Sequence, residues 1–207
     1  MRIAVAALIL VLLMGCAHVG VQRQEPTAPD MDAILRVIGR FSTAHACPVS
    51  ADLALTSAHV TDVRPFDRMM PAFPAAWSDG AGRDGWLTPL RVEIARDLAL
   101  MQSDRPFARW YVVAAVGPAV GDRLWTLGYD WRRRPTMYGP RLHDVRVLRV
   151  VARTVVFEPE IQPGASGACV LNVAGEVVAV NVAVHRAEDE RSVGVAVGVW
   201  GETYSQQ

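Results

Sequence analysis

From about residue 50 onward the chain is a succession of short apolar segments rich in β-branched residues, each closed by Gly, Pro, Asp or Asn. Leu53–Thr56, Trp110–Val116, Arg123–Leu127, Val145–Val156, Cys169–Val173, Glu176–Val184 and Val193–Val199 are the clearest. Segments of this kind at close spacing, with few helix signals among them, specify an all-β sandwich or barrel. Ala174-Gly175, between two of them, reads as a hairpin turn. Met31–Ile38 stands apart as a short helix entering the domain. Residues 62–92 hold Pro65, Pro71, Pro74, Pro89 and the polar stretch Ser78–Gly85, which predicts long loops around one or two short strands. Loops of that length in a small domain often carry function.

The 207 residues suffice for one domain or for two small halves sharing an interface. Basic and acidic residues balance at 21 each and every basic one is Arg, so no excess charge draws the chain to nucleic acid. Arg132-Arg133-Arg134 and Glu188-Asp189-Glu190 read as solvated turns. At the N-terminus, Arg2 precedes the apolar run Ile3–Leu13, too short to span a bilayer but suited to the core of a signal peptide. Leu13-Met14-Gly15-Cys16 closes that run and resembles the lipobox of bacterial lipoproteins, in which the thiol takes the diacylglycerol. The resemblance implies a signal peptide over 1–15, lipidation of Cys16 and a flexible tether over 16–32; an ordinary secretory signal is the alternative. Ala17, where Asp would retain a lipoprotein at the inner membrane, points to an outer-membrane anchor facing the periplasm. Cys47 and Cys169 then remain, an even count in an oxidising compartment, and either pair or sit as buried small hydrophobes.

Three local patterns carry chemistry. Leu55-Thr56-Ser57-Ala58-His59-Val60 is a strand that ends in small residues and then a histidine. Arg96-Asp97-Leu98-Ala99-Leu100-Met101 sets an acid just before an apolar strand, and Pro163-Gly164-Ala165-Ser166-Gly167-Ala168 sets a serine between glycines. Each alone has a plain structural explanation: a surface or core histidine, a turn cap, a tight turn. Together, in the order His, Asp, Ser, they supply a nucleophile, a base and a group that orients the base. A serine hydroxyl is a weak nucleophile at neutral pH, and a neutral imidazole can take its proton and hand it to the leaving amine. Hydrolysis should therefore rise with pH as His59 loses its proton. Asp97, buried behind the ring, would fix the tautomer. Gly164 can turn its N–H toward a developing oxyanion, where the N–H of Ser166 would join it.

These residues resemble the trypsin-like serine protease superfamily, and within it the bacterial high-temperature-requirement proteases. The likeness extends to Gly121–Tyr129, similar to the family's Gly-Asp start of the second barrel with its Gly-Tyr end. Gly175–Asn181 is similar to the strand pair lining the substrate cleft, and Val193–Val197 to the last pocket wall. The resemblance implies two six-stranded antiparallel β-barrels, over 33–112 and 113–207, with the active site in the cleft between them. It implies a serine endopeptidase acting on polypeptides through His59, Asp97 and Ser166, with Gly164 and Ser166 forming the oxyanion hole and no cofactor or metal. Glu160 would lie at the base of the substrate pocket, with Asn181, Val182, Ala183, Gly194 and Val195 on its walls. Those small walls favour a small aliphatic residue before the cut, while Glu160 would suit Arg or Lys. In the family the strand leading to the His lies beside the segment after the Ser, so Cys47 and Cys169 would face each other as a disulfide. Two departures stand out. Ala168-Cys169 replaces the usual Gly-Pro, and Ala165 stands where zymogens carry an Asp to pair with a freshly cut N-terminus. A catalytically silent binding protein on the same scaffold is the alternative function. An α/β-hydrolase esterase would need the order Ser, Asp, His and alternating helices. No feature specifies an oligomeric state.

Overall fold

The computed structural model describes residues 33, 35–39, 43–61, 74–128, 141–161, 164–186 and 192–204. The expected signal peptide, Cys16, the tether, the Arg132-Arg133-Arg134 tract and the Glu188-Asp189-Glu190 turn lie outside these residues. Six strands close the first barrel: β1 (Leu35–Ile38), β2 (Thr43–Pro48), β3 (Leu53–Ser57), β4 (Ala75–Asp79), β5 (Asp84–Glu93) and β6 (Leu98–Ser103). Six more close the second: β7 (Arg123–Gly128), β8 (Arg141–Val151), β9 (Thr154–Glu158), β10 (Cys169–Leu171), β11 (Val177–Arg186) and β12 (Ser192–Gly198). All pairings are antiparallel, and the neighbour order β1-β2-β3-β6-β5-β4 is repeated as β7-β8-β9-β12-β11-β10. The chain is thus one barrel topology used twice.

The burial pattern follows from which faces each strand covers. β1 alternates, with Leu35 and Val37 buried and Arg36 and Ile38 exposed, because one face lines the barrel and the other meets water. Within the helix expected over Met31–Ile38, the segment Leu35–Ile38 is instead a β-strand. β3 is buried throughout: Ala54 enters the first barrel's core while Leu55 packs into the seam between barrels. β10 repeats this, with Val170 in the second core and Cys169 and Leu171 in the seam. Strands buried on both faces read as continuous apolar runs. The seam also holds Leu98, Tyr111, Val177, Val180 and Val199, so the two barrels share a third hydrophobic core.

Residues 62–73 lie outside the described residues, and 74–92 hold more strand than the sequence suggested. β4 and β5 form a hairpin, and Pro89 falls where the β5–β6 register shifts, the kind of position a strand proline tolerates. Trp110–Val116 is not a strand. It is an extended connector whose one bridge pairs Val113 with Val177, with further bonds from Tyr111 N to Pro48 O and from Ala114 N to Val177 O. Its apolar character serves the seam, which takes Tyr111 as a buried residue.

Candidate active site

β3 delivers His59. The strand runs into a 3-10 turn, Ala58–Thr61, closed by a hydrogen bond from the Thr61 hydroxyl to Ala58 O at 2.7 Å. That turn is seated on Asp97 by three bonds. The Ala58 N–H donates to Asp97 O at 3.1 Å, the His59 N–H to Asp97 Oδ1 at 2.9 Å, and the ring meets Asp97 Oδ2 through Nδ1 at 2.8 Å. One carboxylate therefore holds both the backbone and the imidazole of the same residue. Because the carboxylate only accepts, Nδ1 carries the proton and Nε2 keeps its lone pair free for a donor.

Asp97 reaches this position through local backbone. It ends a short 3-10 turn, Ile94–Arg96, in the left-handed region at φ 52°, with its N–H on Ile94 O at 3.1 Å. Asp tolerates that conformation better than most residues do. The preceding Arg96 clasps the other barrel, donating to Gly198 O at 2.7 Å and to Glu202 at 2.9 Å, and it also pairs with Glu93. Glu202 in turn accepts from Arg153 at 3.0 Å and from the Tyr204 hydroxyl at 2.8 Å. Asp97 is not buried, as the sequence reading had it. Its side chain is 35 % exposed and that of His59 39 %, so the pair opens to solvent at the mouth of the site.

Ser166 lies in the turn Gly164–Ala168 that leads into β10. Gly164 and Gly167 both take positive φ, 95° and 79°, which glycine adopts freely. The turn is closed by Ala168 N to Ala165 O at 3.0 Å and docked on the first barrel by His45 N to Ser166 O at 2.9 Å. The Asn181 carbonyl is the node that joins the two motifs. It accepts the Gly167 N–H at 2.8 Å and the Ser57 hydroxyl at 2.7 Å. Ser57 stands two residues before His59, and Gly167 one after Ser166. One oxygen thus ties the histidine's strand to the serine's turn.

Cys47 on β2 and Cys169 at the start of β10 are joined by a disulfide, with Cα atoms 5.2 Å apart and a sequence separation of 122. Both are buried in the seam. The expected pocket residues fall on neighbouring strands. Asn181 pairs with Ala196, and its amide donates into the second barrel to Thr126 Oγ1. Val182 sits where the register shifts, Ala183 pairs with Val195, and Gly194 lies against Phe157. A Cβ at Gly194 would come within 2.2 Å of the Phe157 ring. Glu160 is half-buried on the segment after β9.

The sequence reading did not single out three residues that the site uses. Ser57 and Thr56 were part of the His59 motif, but a hydroxyl beside a strand end has too many uses to be assigned. His45 is the third. It lies on β2, with 1 % of its surface exposed, and nothing in its local sequence marks it. Burial pulls its pKa down to about 4; the Gly164 backbone acts in the opposite direction and nearby Arg36 lowers it further.

Two closed six-stranded barrels, with a His–Asp pair on one and a glycine-flanked serine turn on the other, define the chymotrypsin-like architecture of serine proteases. The chain belongs to the family described as the trypsin-like peptidase domain, whose model matches residues 44–180, a span that includes His59, Asp97 and Ser166. Among curated proteins no significant match was found. Among solved structures the chain is similar to an inactive form of the Rv3671c protease of M. tuberculosis, at TM-score 0.64 and 15% identity, covering 84% of this chain and 93% of that one. It is also similar to a Glu endopeptidase, at TM-score 0.70 and 14% identity over 81% of this chain and 85% of that one. A serine endoprotease from Yersinia pestis aligns at TM-score 0.64 and 18% identity, over 84% of this chain and 64% of that one. At these identities the likeness is one of fold.

Proposed function

We propose that the protein is a serine endopeptidase whose catalytic residues are His59, Asp97 and Ser166. The observation that carries this is the Asn181 carbonyl, shared by Ser57 and Gly167, beside a His59 ring already fixed on Asp97. Nε2 of the neutral ring takes the proton of the Ser166 hydroxyl as Oγ attacks the scissile carbonyl, and returns it to the leaving amine. Asp97 holds the ring in the required tautomer and stabilises the imidazolium. Among the described residues no group accepts the N–H of Gly164 or of Ser166, which leaves both for the tetrahedral oxyanion. Each such donor lowers the reaction's activation barrier by roughly 3 to 4 kcal/mol. Water then hydrolyses the acyl-enzyme by the same steps.

The substrate is a polypeptide, and the pocket walls around Gly194 and Ala183 suit a small aliphatic residue before the cut. The disulfide persists best in an oxidising compartment, which supports export. The lipobox-like segment and the motifs of the high-temperature-requirement branch support a lipid-anchored envelope protease of that branch.

A fluorophosphonate probe tests the reading. It should form an adduct on Ser166 that Ser166→Ala and His59→Ala both abolish, as read by peptide mapping. A folded protein that gives no adduct would instead be a silent binding protein on a protease scaffold.

A further inference from the structure

We infer that Arg96 is a positioning residue for Asp97, pinning the turn that carries this carboxylate to Gly198 and Glu202 of the second barrel. The inference rests on the serine peptidase reading and adds to the proposed triad a polar clasp from the segment after β12.

Asp97 sits at the tip of a hairpin. Glu93 of β5 faces Leu98 of β6, so residues 94–97 are the loop between the two strands. None of Ile94, Ala95 and Arg96 is buried, so no side chain of the turn anchors it in a hydrophobic core. Asp97 takes φ 52°, a conformation that costs a non-glycine residue energy and persists only where its surroundings hold it. Toward its own barrel, Asp97 bonds the very turn it has to orient: its carbonyl accepts from Ala58 N–H, and its carboxylate from His59. Those bonds hold Asp97 and His59 to each other. They do not tie the hairpin tip to the barrel that carries Ser166.

Arg96 supplies that tie. Its Nη2 donates to Gly198 O at 2.7 Å and to Glu202 Oε1 at 2.9 Å, while Nη1 donates to Glu93 Oε2 at 3.0 Å. The guanidinium is a rigid planar fork, so these acceptors fix its plane between the base of the hairpin and the second barrel. Glu202 is held in turn. Its Oε1 also accepts from Arg153 Nη1 at 3.0 Å and its Oε2 from the Tyr204 hydroxyl at 2.8 Å. Arg153 is itself steadied by a bond to Trp200 O at 2.8 Å and lies over the Trp200 ring. One carboxylate therefore separates two guanidinium groups, and neutralising it would set like charges against each other. Arg96 and Glu202 are both part-buried, which shields the pair from the screening that weakens exposed ion pairs. Arg96 and Asp97 are joined by one planar peptide, so fixing the first restrains the backbone of the second.

The test compares wild type, Arg96→Met, Arg96→Lys and Glu202→Gln, all carrying the disulfide, by two readouts. One is fluorophosphonate labelling of Ser166. The other is the downfield proton resonance of the His59 Nδ1–H bonded to Asp97, assigned by its absence in His59→Ala. Arg96→Met keeps the length of the side chain without its donors. It should slow labelling at saturating probe by about 10-fold or more, with the half-saturating probe concentration little changed. The His59 resonance should broaden or vanish alongside. Arg96→Lys keeps a charge that can meet one acceptor and should recover part of both losses. Glu202→Gln should move both readouts in the same direction. Combined with Arg96→Met it should add little, because the two substitutions remove one contact. If Arg96→Met labels at the wild-type rate with the resonance intact, the positioning role is overturned and the peptidase reading stands. The role is also overturned if labelling slows while the resonance stays sharp, since Arg96 then acts elsewhere than on Asp97. If wild type fails to label Ser166 while Arg96→Met loses the resonance, the clasp holds Asp97 and the catalytic reading is what fails. Should Arg96→Met not fold, Arg96→Lys and Glu202→Gln decide by the same two readouts.

Discussion

Removing the disulfide is the perturbation whose size the structure constrains best. The variant is Cys47→Ala with Cys169→Ala, which breaks a cross-link closing a loop 122 residues long without leaving a lone thiol. In the chain-entropy account, opening a loop of that length restores unfolded-state freedom equivalent to about 5 kcal/mol at 25 °C. Native disulfides typically deliver less, about 2 to 4 kcal/mol, because denatured chains keep some structure. Both sulfurs are buried in the seam core, so their loss removes packing as well, which acts in the same direction. The expected loss is about 4 kcal/mol. For a folded body of this size that corresponds to a fall in Tm of roughly 10 °C, at 2 to 4 °C per kcal/mol. Urea denaturation of the double variant beside oxidised wild type measures it, and the unfolded-state origin should also show as a larger m-value in the variant. A double variant whose midpoint stays within about 1 kcal/mol of wild type would refute the reasoning, since the cross-link would then constrain nothing that unfolding frees.

Two further outcomes follow from the turn beneath the site. Gly167→Ala should cost about 4 kcal/mol or more, because its Cβ would meet the His45 carbonyl at 2.0 Å and Thr56 Oγ1 at 2.3 Å with φ already positive. Gly164→Ala meets open space at φ +95° and should cost about 1 to 3 kcal/mol of strain, while still slowing fluorophosphonate labelling; thermal melts of the two variants give the contrast. Burial lowers the His45 pKa from 6.5 to about 4, so the unfolded chain takes a proton there before the native protein does. Stability should therefore fall as pH drops from about 6.5 toward 4, by about 3 kcal/mol in all, and His45→Asn should flatten that part of the profile in denaturation measured against pH.

The legible parts of the chain were those whose strands are buried on both faces. β3, β10 and β11 read as apolar runs because one side fills a barrel and the other fills the seam, and those same strands carry or flank His59 and Ser166. Outer strands left weaker marks. β5 is mostly exposed and contains Pro89 at a register shift, so its pattern resembles a loop. β1 is only four residues long, too few for its alternation to be told from a helical face. Trp110–Val116 misled in the other direction, since a connector buried in the seam needs apolar residues without needing a ladder. At the site, residue types and chain order were visible, but Asp97 proved open to solvent. Its exposure depends on where the Ile94–Arg96 turn lies, which no local pattern records. His45 was illegible for a related reason: its N–H meets Ser166 O only once the other barrel is docked on it.

That docking explains why the site has the form it does. His59 and Asp97 belong to one barrel and Ser166 to the other, so the proposed proton transfer between them requires the barrels to hold a fixed orientation. Each element of the proposed triad is tied across the seam close to itself. Ser57, just before His59, bonds the Asn181 carbonyl of the second barrel; Arg96, next to Asp97, bonds Gly198 O and Glu202; Ser166 O accepts from His45, and Cys169 is bonded to Cys47. A shift of the barrels would strain all four ties together, while a change within either barrel's core would leave them intact. Geometry of this kind separates stability from activity. Substitutions deep in one barrel should act on unfolding, whereas loss of a seam tie should first widen the distribution of distances between Ser166 and His59. In the proposed reaction, the site's precision is therefore a property of the seam rather than of either barrel.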